Sequence, residues 1–338
     1  MIRILWLLSL MVFNGIMFTG YTQSRKVIID CDPGIDDATA LILAMQYPGF
    51  EILGITTVFG NASLTQGTIN ALRVVELSGR NIPVYRGAEK PLSIPLAPPP
   101  DFVHGKDGLG NTNQTEPKIK VQEKSAAQFI VDMVKLYPRQ VTILAVGRLT
   151  NLAEAIKLDT TLTSNVSEVV LMGGTLYAPG NVSPVAEANI EGDPHAADIV
   201  FTSKWKVTMI GLDVTTKVKL NDDILLRIKN KNTRYGSFIF SITRFYMNFH
   251  KNVNHIEGGF YVHDPSAVMY LIDSTLFKIK KGPIRVVGEG IAIGQTIMPA
   301  YDYQLMLAPW MGKPFVAAAV DVDVKRFLKT FETVMVKK

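Results

Sequence analysis

The chain reads as a single α/β domain on a mostly parallel, doubly wound, Rossmann-like central sheet flanked by helices, with a functional site at the carboxyl ends of the strands. Three observations predict this. Short β-branched apolar runs alternate with helical stretches from Lys26 to Leu212. The first run ends in a crowd of acids where a strand gives way to a helix. And 47% hydrophobic against 19% charged residues in 338 positions is enough for one sizeable core.

Lys26-Val-Ile-Ile-Asp30 is continuously apolar before its acid, as a strand buried on both faces requires. Ala38, Leu41, Ile42 and Met45 recur at helical spacing, predicting a helix over Asp36 to Tyr47. A strand at Phe50 to Val58 and a helix from about Leu64 to Ser78 follow, then a brief strand at Val84-Tyr85. Val141 to Val146 is a strand before a helix at Leu149 to Lys157. Val169 to Met172 is a strand running into Gly173-Gly174, and a helix at His195 to Thr202 precedes a strand at Val207 to Leu212. Two stretches break the alternation. Pro91 to Lys120 is rich in Pro, Gly and Asn and long enough to serve as a lid. Tyr177 to Pro194 reads as a non-helical polar segment. No repeat or linker divides the chain, so residues 23–338 form one domain.

Residues 1–22 differ in kind. One Arg precedes an almost wholly apolar run from Ile4 to Phe18, and small and polar residues follow. That order is a secretory signal peptide, and the run is shorter than the roughly 20 residues of a spanning helix. The expectation is a secreted, extracellular protein with no stable membrane insertion. The formal charge of +5 is mild, and no basic run interleaves with aromatics, so no nucleic-acid partner is expected. Cys31 is the sole cysteine and makes no internal disulfide. Asp30 and Asp32 flank it and disfavour a thiolate, so it is not read as a nucleophile. Acceptor sequences for N-linked sugar occur at Asn61, Asn113, Asn165 and Asn181, of which Asn113 and Asn165 are expected to be accessible.

Asp30-Cys-Asp-Pro-Gly-Ile-Asp-Asp37 places four carboxylates within eight residues, around a tight Pro-Gly turn. Asp36 and Asp37 alone would suit a helix N-terminus, but Asp30 and Asp32 on the strand side would not. Four crowded like charges need a counter-charge, and a hard divalent cation with oxygen ligands supplies it. An Asp-x-Asp after an apolar strand also resembles the haloacid-dehalogenase phosphatases. Gly34 stands where that family carries Thr or Val, and the extra Asp36-Asp37 pair is foreign to its motif.

The same segment strongly resembles the amino-terminal signature of the inosine-uridine nucleoside hydrolase family. Further landmarks of that family follow in order: Val58-Phe-Gly-Asn61, Val146-Gly-Arg-Leu-Thr-Asn-Leu-Ala153, Leu171-Met-Gly-Gly174, Asn181-Val-Ser-Pro-Val-Ala-Glu-Ala-Asn189, Gly192-Asp-Pro194 and His263-Asp-Pro265. The resemblance spans Lys26 to about Lys329. It implies calcium-dependent hydrolysis of the N-glycosidic bond of ribonucleosides, giving ribose and free purine or pyrimidine base. It implies a calcium site of Asp32, Asp37, Asp264 and the Val146 carbonyl. No Cys/His spacing suits zinc, and carboxylates with a carbonyl suit calcium.

By the same resemblance, Asp36, Asn61, Asn181, Glu187 and Asn189 hold the ribose, which would leave Asn61 and Asn181 without sugar. Asp32 is the general base for the attacking water. His263 stands where base-nonspecific relatives carry a histidine, and histidine titrates near neutral pH, which suits an acid for the leaving base. His104 lies in the expected lid and is a candidate substrate contact, while His195 reads as structural. Ala188 departs from relatives that place an aromatic residue there, which leaves Phe245, Tyr246 and Phe249 as candidates to grip the base. Homodimers or homotetramers are the family's habit and the expected assembly. The alternative from another class is a secreted nucleoside-binding protein with the same fold and little turnover.

Overall fold

The computed structural model describes residues 24–337, so the expected signal peptide lies outside the described residues. The central sheet has eight strands: β1 (Arg25–Cys31), β2 (Phe50–Thr57), β3 (Val84–Arg86), β4 (Val141–Ala145), β5 (Glu168–Met172), β6 (Val207–Ile210), β7 (Phe277–Gly282) and β8 (Val316–Val322). Their spatial order is β3-β2-β1-β4-β5-β6-β8-β7. All neighbours pair in parallel except the edge strand β7, which runs antiparallel to β8. The first six strands follow the Rossmann order, and its reversal falls between β1 and β4.

Helices Asp101–His104, Ala126–Leu136, Leu162–Asn165 and Ala188–Gly192 stand unexpected, and beside them each expected element up to Ile210 is present within one or two residues. Their signal is strong because β1, β4 and β5 are covered on both faces. Val27, Ile28 and Ile29 of β1, and Ile143, Leu144 and Ala145 of β4, are all buried. Helices Ile35–Gln46, Leu64–Ser78 and Thr150–Leu158 alternate with these strands. Ser63 caps the second of them by accepting the Gln66 amide, and Gly79 ends it in a left-handed turn with φ of 69°.

The carboxyl-terminal third, unassigned from sequence, holds helix Asp222–Lys231, the 22-residue helix Thr233–Asn254, the short antiparallel pair Lys219–Asn221 and Gly259–Tyr261, and strands β7 and β8. The helix at Thr233–Asn254 packs on Ile35–Gln46 and on the short helix Asp101–His104, so it closes one wall above the sheet's carboxyl edge.

Candidate active site

The site is assembled at the β1/β4 crossover, where the chain leaves both strands in opposite senses and opens a crevice. The turn after β1 folds back on itself through Asp37. Its Oδ1 accepts the Asp32 amide at 3.0 Å, and its Oδ2 accepts the Gly34 amide at 3.0 Å and the Asn61 side-chain amide at 2.9 Å. Gly34 is needed for close approach: a Cβ there would lie 2.7 Å from Nδ1 of His104 and 2.9 Å from Cβ of Asn61.

Asp32 is buried. Its Oδ2 accepts the Asn61 backbone amide at 2.9 Å and a charged donor, Nη1 of Arg148, while its Oδ1 has no hydrogen-bond partner. Asp36 and Asp264 likewise each keep one buried carboxylate oxygen without a partner. Asp264 arrives from the first turn of helix Asp264–Ile272. Asp36, Asp37 and Asp264 offer oxygens within 4.8 Å of one another. The expected metal set named Asp32 rather than Asp36 beside these two; Oδ2 of Asp32 is engaged by Arg148, and its Oδ1 remains bare. Asp30, the fourth acid of the cluster, stays inside the sheet. Its Oδ1 accepts Thr56 Oγ1 at 2.5 Å and the Asn151 amide at 2.7 Å, its Oδ2 has no partner, and it is not one of the three acids whose oxygens converge.

Burial is the main cause of the electrostatics. It raises Asp36 to about 8, with the Asp37 charge adding to it, and raises Asp30 to about 7. Asp32 and Asp264 are pushed well above the usual carboxylate range by burial and then by their acidic neighbours. Buried carboxylates left with bare oxygens and mutual repulsion are what a hard cation relieves. The residues present fit a divalent metal: the donors are oxygen only, and one oxygen each of Asp32, Asp36 and Asp264 lacks a partner.

The segment from Tyr177 to Pro194 corrects one expectation. It is not wholly non-helical, because Ala188–Gly192 forms a short helix that carries Asn189. Glu187 causes this by capping it. Its Oε1 accepts the Asn189 amide at 3.0 Å, and its Oε2 accepts Ile190 N at 3.2 Å and Gly174 N at 2.9 Å. Asn189 donates its amide to the Val146 carbonyl at 2.9 Å and to the Met172 carbonyl at 3.1 Å, joining the ends of β4 and β5. Asn181 reaches the segment through its Oδ1, which accepts Ala188 N at 3.0 Å, but it is exposed, against the expectation that its sugar-acceptor position is inaccessible. A side chain on a loop rim is not covered by the protein alone. Asn113 is exposed as expected, Asn165 is half-buried, and Asn61 is half-buried and tied to Asp32 and Asp37.

His263 precedes Asp264 directly and is buried, with Nδ1 2.9 Å from the Thr215 hydroxyl. Burial lowers it to about 4, so the expectation of titration near neutral pH is not met: the imidazole is neutral there. His104 is also buried. Its Nδ1 accepts the Ile35 amide at 3.2 Å, and its ring stacks on Tyr246 with centroids 5.6 Å apart. Within the expected lid only the stretch around His104 to Leu109 is packed down, anchored where the Asn70 amide donates to the carbonyls of Pro33 and Asp107, and most of the rest is exposed. Of the three aromatic candidates, Tyr246 faces the acids, its hydroxyl 3.5 Å from Oδ2 of Asp36. Phe245 and Phe249 are half-buried and pack against the core. His195 lies in the first turn of helix Pro194–Thr202, apart from the acids.

Comparison with known proteins decides the family. The family model for inosine-uridine preferring nucleoside hydrolase matches residues 27–329. The chain belongs to this family. Uridine nucleosidase 1 of Arabidopsis thaliana is 44% identical over 320 residues, covering 93% of this chain and 94% of that protein. The inosine-uridine preferring nucleoside hydrolase of Leishmania major is 40% identical, covering 81% and 87%. A solved plant nucleoside hydrolase superposes with a TM-score of 0.88 at 35% identity, covering 93% of this chain and 99% of that one. The chain is therefore an enzyme, a nucleoside hydrolase, with a carboxylate-rich metal site and a nucleoside substrate.

Within this nucleoside hydrolase, the expected residues Asp32, Asp36, Asp37, Asn61, Val146, Glu187, Asn189 and Asp264 are linked by the contacts above, and His104 and His263 border them. Arg148 and Thr215 are the additions, and of the aromatic candidates Tyr246 is the one that reaches the acids. Arg148 carried a readable signal: a lone basic residue follows β4, and β4 pairs with the strand that ends in the acids. Thr215 carried none, since it lies 48 residues from its histidine partner.

Proposed function

We propose that this nucleoside hydrolase is calcium-dependent and releases the base of ribonucleosides, uridine among them, with Asp32 as general base and His263 as proton donor to the departing base. The observation that carries the reading is the set of bare, buried oxygens on Asp32, Asp36 and Asp264 at the sheet's crossover. Asp32, Asp37, Asp264 and the Val146 carbonyl would hold the ion. When bound, a calcium ion acidifies water and orients the ribose hydroxyls. Asp36, Asn61, Asn181, Glu187, Asn189 and His104 would seat the sugar.

The chain's own groups then share the proton work. Asp32 takes a proton from the attacking water as oxygen bonds to C1′ and the C1′–N bond breaks. Positive charge grows on the sugar in that transition state, and the crowd of carboxylates favours it. With the Thr215 hydroxyl donating to Nδ1 of His263, Nε2–H would donate a hydrogen bond to the departing base, and a proton given up in full would come from the imidazolium, which returns to the neutral ring. The relatives support the substrate: a uridine nucleosidase in Arabidopsis thaliana, and an inosine-uridine preferring nucleoside hydrolase in Leishmania major.

The leader-like order of residues 1–22 supports secretion with cleavage near residue 22, and an exposed Asn113 supports glycosylation there. A homodimer or homotetramer completes the reading. The test is release of free base from uridine and inosine by the secreted protein, with calcium and with a chelator. Activity that survives complete chelation, or an Asp32→Ala enzyme that keeps turning over, would end it.

A further inference from the structure

Arg148 is a cation buried among acids. It is 9% exposed, and its Nη1 donates to Oδ2 of Asp32, whose side chain is fully covered. The guanidinium is held in a slot built of glycine. A Cβ on Gly60 would lie 2.1 Å from Nη1 and 1.9 Å from Oδ2 of Asp32, and a Cβ on Gly192 would lie 2.6 Å from Nε. Gly60 follows β2, Gly192 ends the helix of the ribose segment, and Arg148 follows β4, so three separate segments leave room for this one pair.

The contact is one-sided. Oδ2 of Asp32 has both Arg148 and the Asn61 amide, and Oδ1 has nothing. A carboxylate clamped by one oxygen cannot rotate, so the other is presented in a fixed direction. The same guanidinium carries the positive charge nearest to Asp32, and a second cation entering the cluster is repelled by it.

We propose that Arg148 is a positioning residue for Asp32, which locks Oδ2 so that Oδ1 remains free for the reaction, and that its charge weakens divalent-cation binding by the neighbouring acids. The second half rests on the metal reading above. The first half does not.

The test compares the full-length wild type with Arg148→Gln, which can keep a hydrogen bond to Oδ2 but has no charge, Arg148→Met, which has neither, and Arg148→Lys. Chelator-treated proteins are titrated with calcium alone by calorimetry, and circular dichroism checks that each is folded. Arg148→Gln and Arg148→Met should bind calcium about five-fold or more tightly than wild type, and Arg148→Lys less so. In turnover of uridine, Arg148→Met should lower kcat by about ten-fold or more with little change in KM, and Arg148→Lys should recover most of that loss. Folded Gln and Met variants whose calcium affinity is unchanged or weaker overturn the charge role. A Met variant with undiminished kcat, or a loss confined to KM, overturns the positioning role. A wild type that binds no calcium strikes the metal reading instead, and the kcat comparison still decides the positioning of Asp32. If the Gln and Met variants fail to fold, the comparison of wild type with Arg148→Lys decides: a kcat loss as deep as that of Asp32→Ala overturns the claim that a cation at this place suffices.

Discussion

The hydroxyl of Thr215 lies 2.9 Å from Nδ1 of His263, and both groups are buried. Thr215 belongs to the short helix Leu212–Thr215 after β6, and His263 caps helix Asp264–Ile272. Two elements that share no strand pairing thus fix the orientation of the imidazole ring. His263→Ala should slow uridine by about a hundred-fold or more, the ordinary scale of a positioned acid. It should barely affect a riboside with a nitrophenolate leaving group, which departs without a proton. Thr215→Val should show the same pattern at about a tenth of the effect. Equal losses on both substrates would remove His263 from the acid role.

Metal removal makes a second prediction. Buried acids that repel one another destabilise the ion-free protein, and an ion that binds only the folded state stabilises it by mass action, about 2.7 kcal/mol at a hundred times its dissociation constant. Calcium should therefore raise the melting temperature of the chelator-treated enzyme by several degrees, and Asp264→Asn should abolish the rise. Differential scanning calorimetry across a calcium series checks this. An increase that survives intact in Asp264→Asn would place the ion elsewhere.

The acids of the site and the strands that carry them were legible because both are local. Asp30 to Asp37 lie in one turn, and β1, β4 and β5 are apolar runs with no competing periodicity. What lay beyond Leu212 was hidden for a physical reason. The edge strand β7 reads Phe-Lys-Ile-Lys-Lys-Gly, half solvent-facing, and its partner β8 is mostly Ala and Val, which fits helix as well as strand. The short helix at Ala188–Gly192 escaped because its stability comes from one carboxylate, Glu187, and not from an apolar stripe. The place of Asp30, counted in the acidic cluster but outside the expected metal set, was not legible, because counting charges along the chain does not say which way each side chain turns. Its partners, Thr56 and Asn151, come from other elements.

Glu187 tests how much of the ribose segment is structural. Its carboxylate accepts three backbone amides, those of Gly174, Asn189 and Ile190, and it is 2% exposed. Glu187→Ala leaves those donors buried without partners, at about 1–3 kcal/mol for each that water cannot reach. Urea unfolding should show a loss of about 3 kcal/mol, with unchanged slope. Asn189 should be misplaced as the helix frays, so KM for uridine should rise as well. Glu187→Gln keeps one acceptor oxygen and should lose about half as much stability. A Glu187→Ala protein as stable as wild type would show that the segment is held by other contacts.

His250 makes a prediction about acid stability. It sits in helix Thr233–Asn254, 1% exposed, among Tyr246, Phe249, Phe260, Tyr261 and His263, with Nδ1 accepting the Asn254 side-chain amide at 2.9 Å. Burial lowers it to about 3, with the nearby His263 and His104 adding smaller effects. The sign follows from which state binds the proton. Below its ordinary value of about 6.5 the unfolded chain protonates this histidine, while the folded chain keeps it neutral until about pH 3. Stability is therefore lost as pH falls from about 6.5 towards 3, at about 1.4 kcal/mol per pH unit for one proton. His250→Phe removes that proton and nothing else titratable. Between pH 6.5 and 5 the wild type should lose about 2 kcal/mol more than the variant, read from urea midpoints at each pH. Parallel pH profiles for the two proteins would mean that His250 takes up its proton in the folded state, and that the aromatic wall around it opens to water.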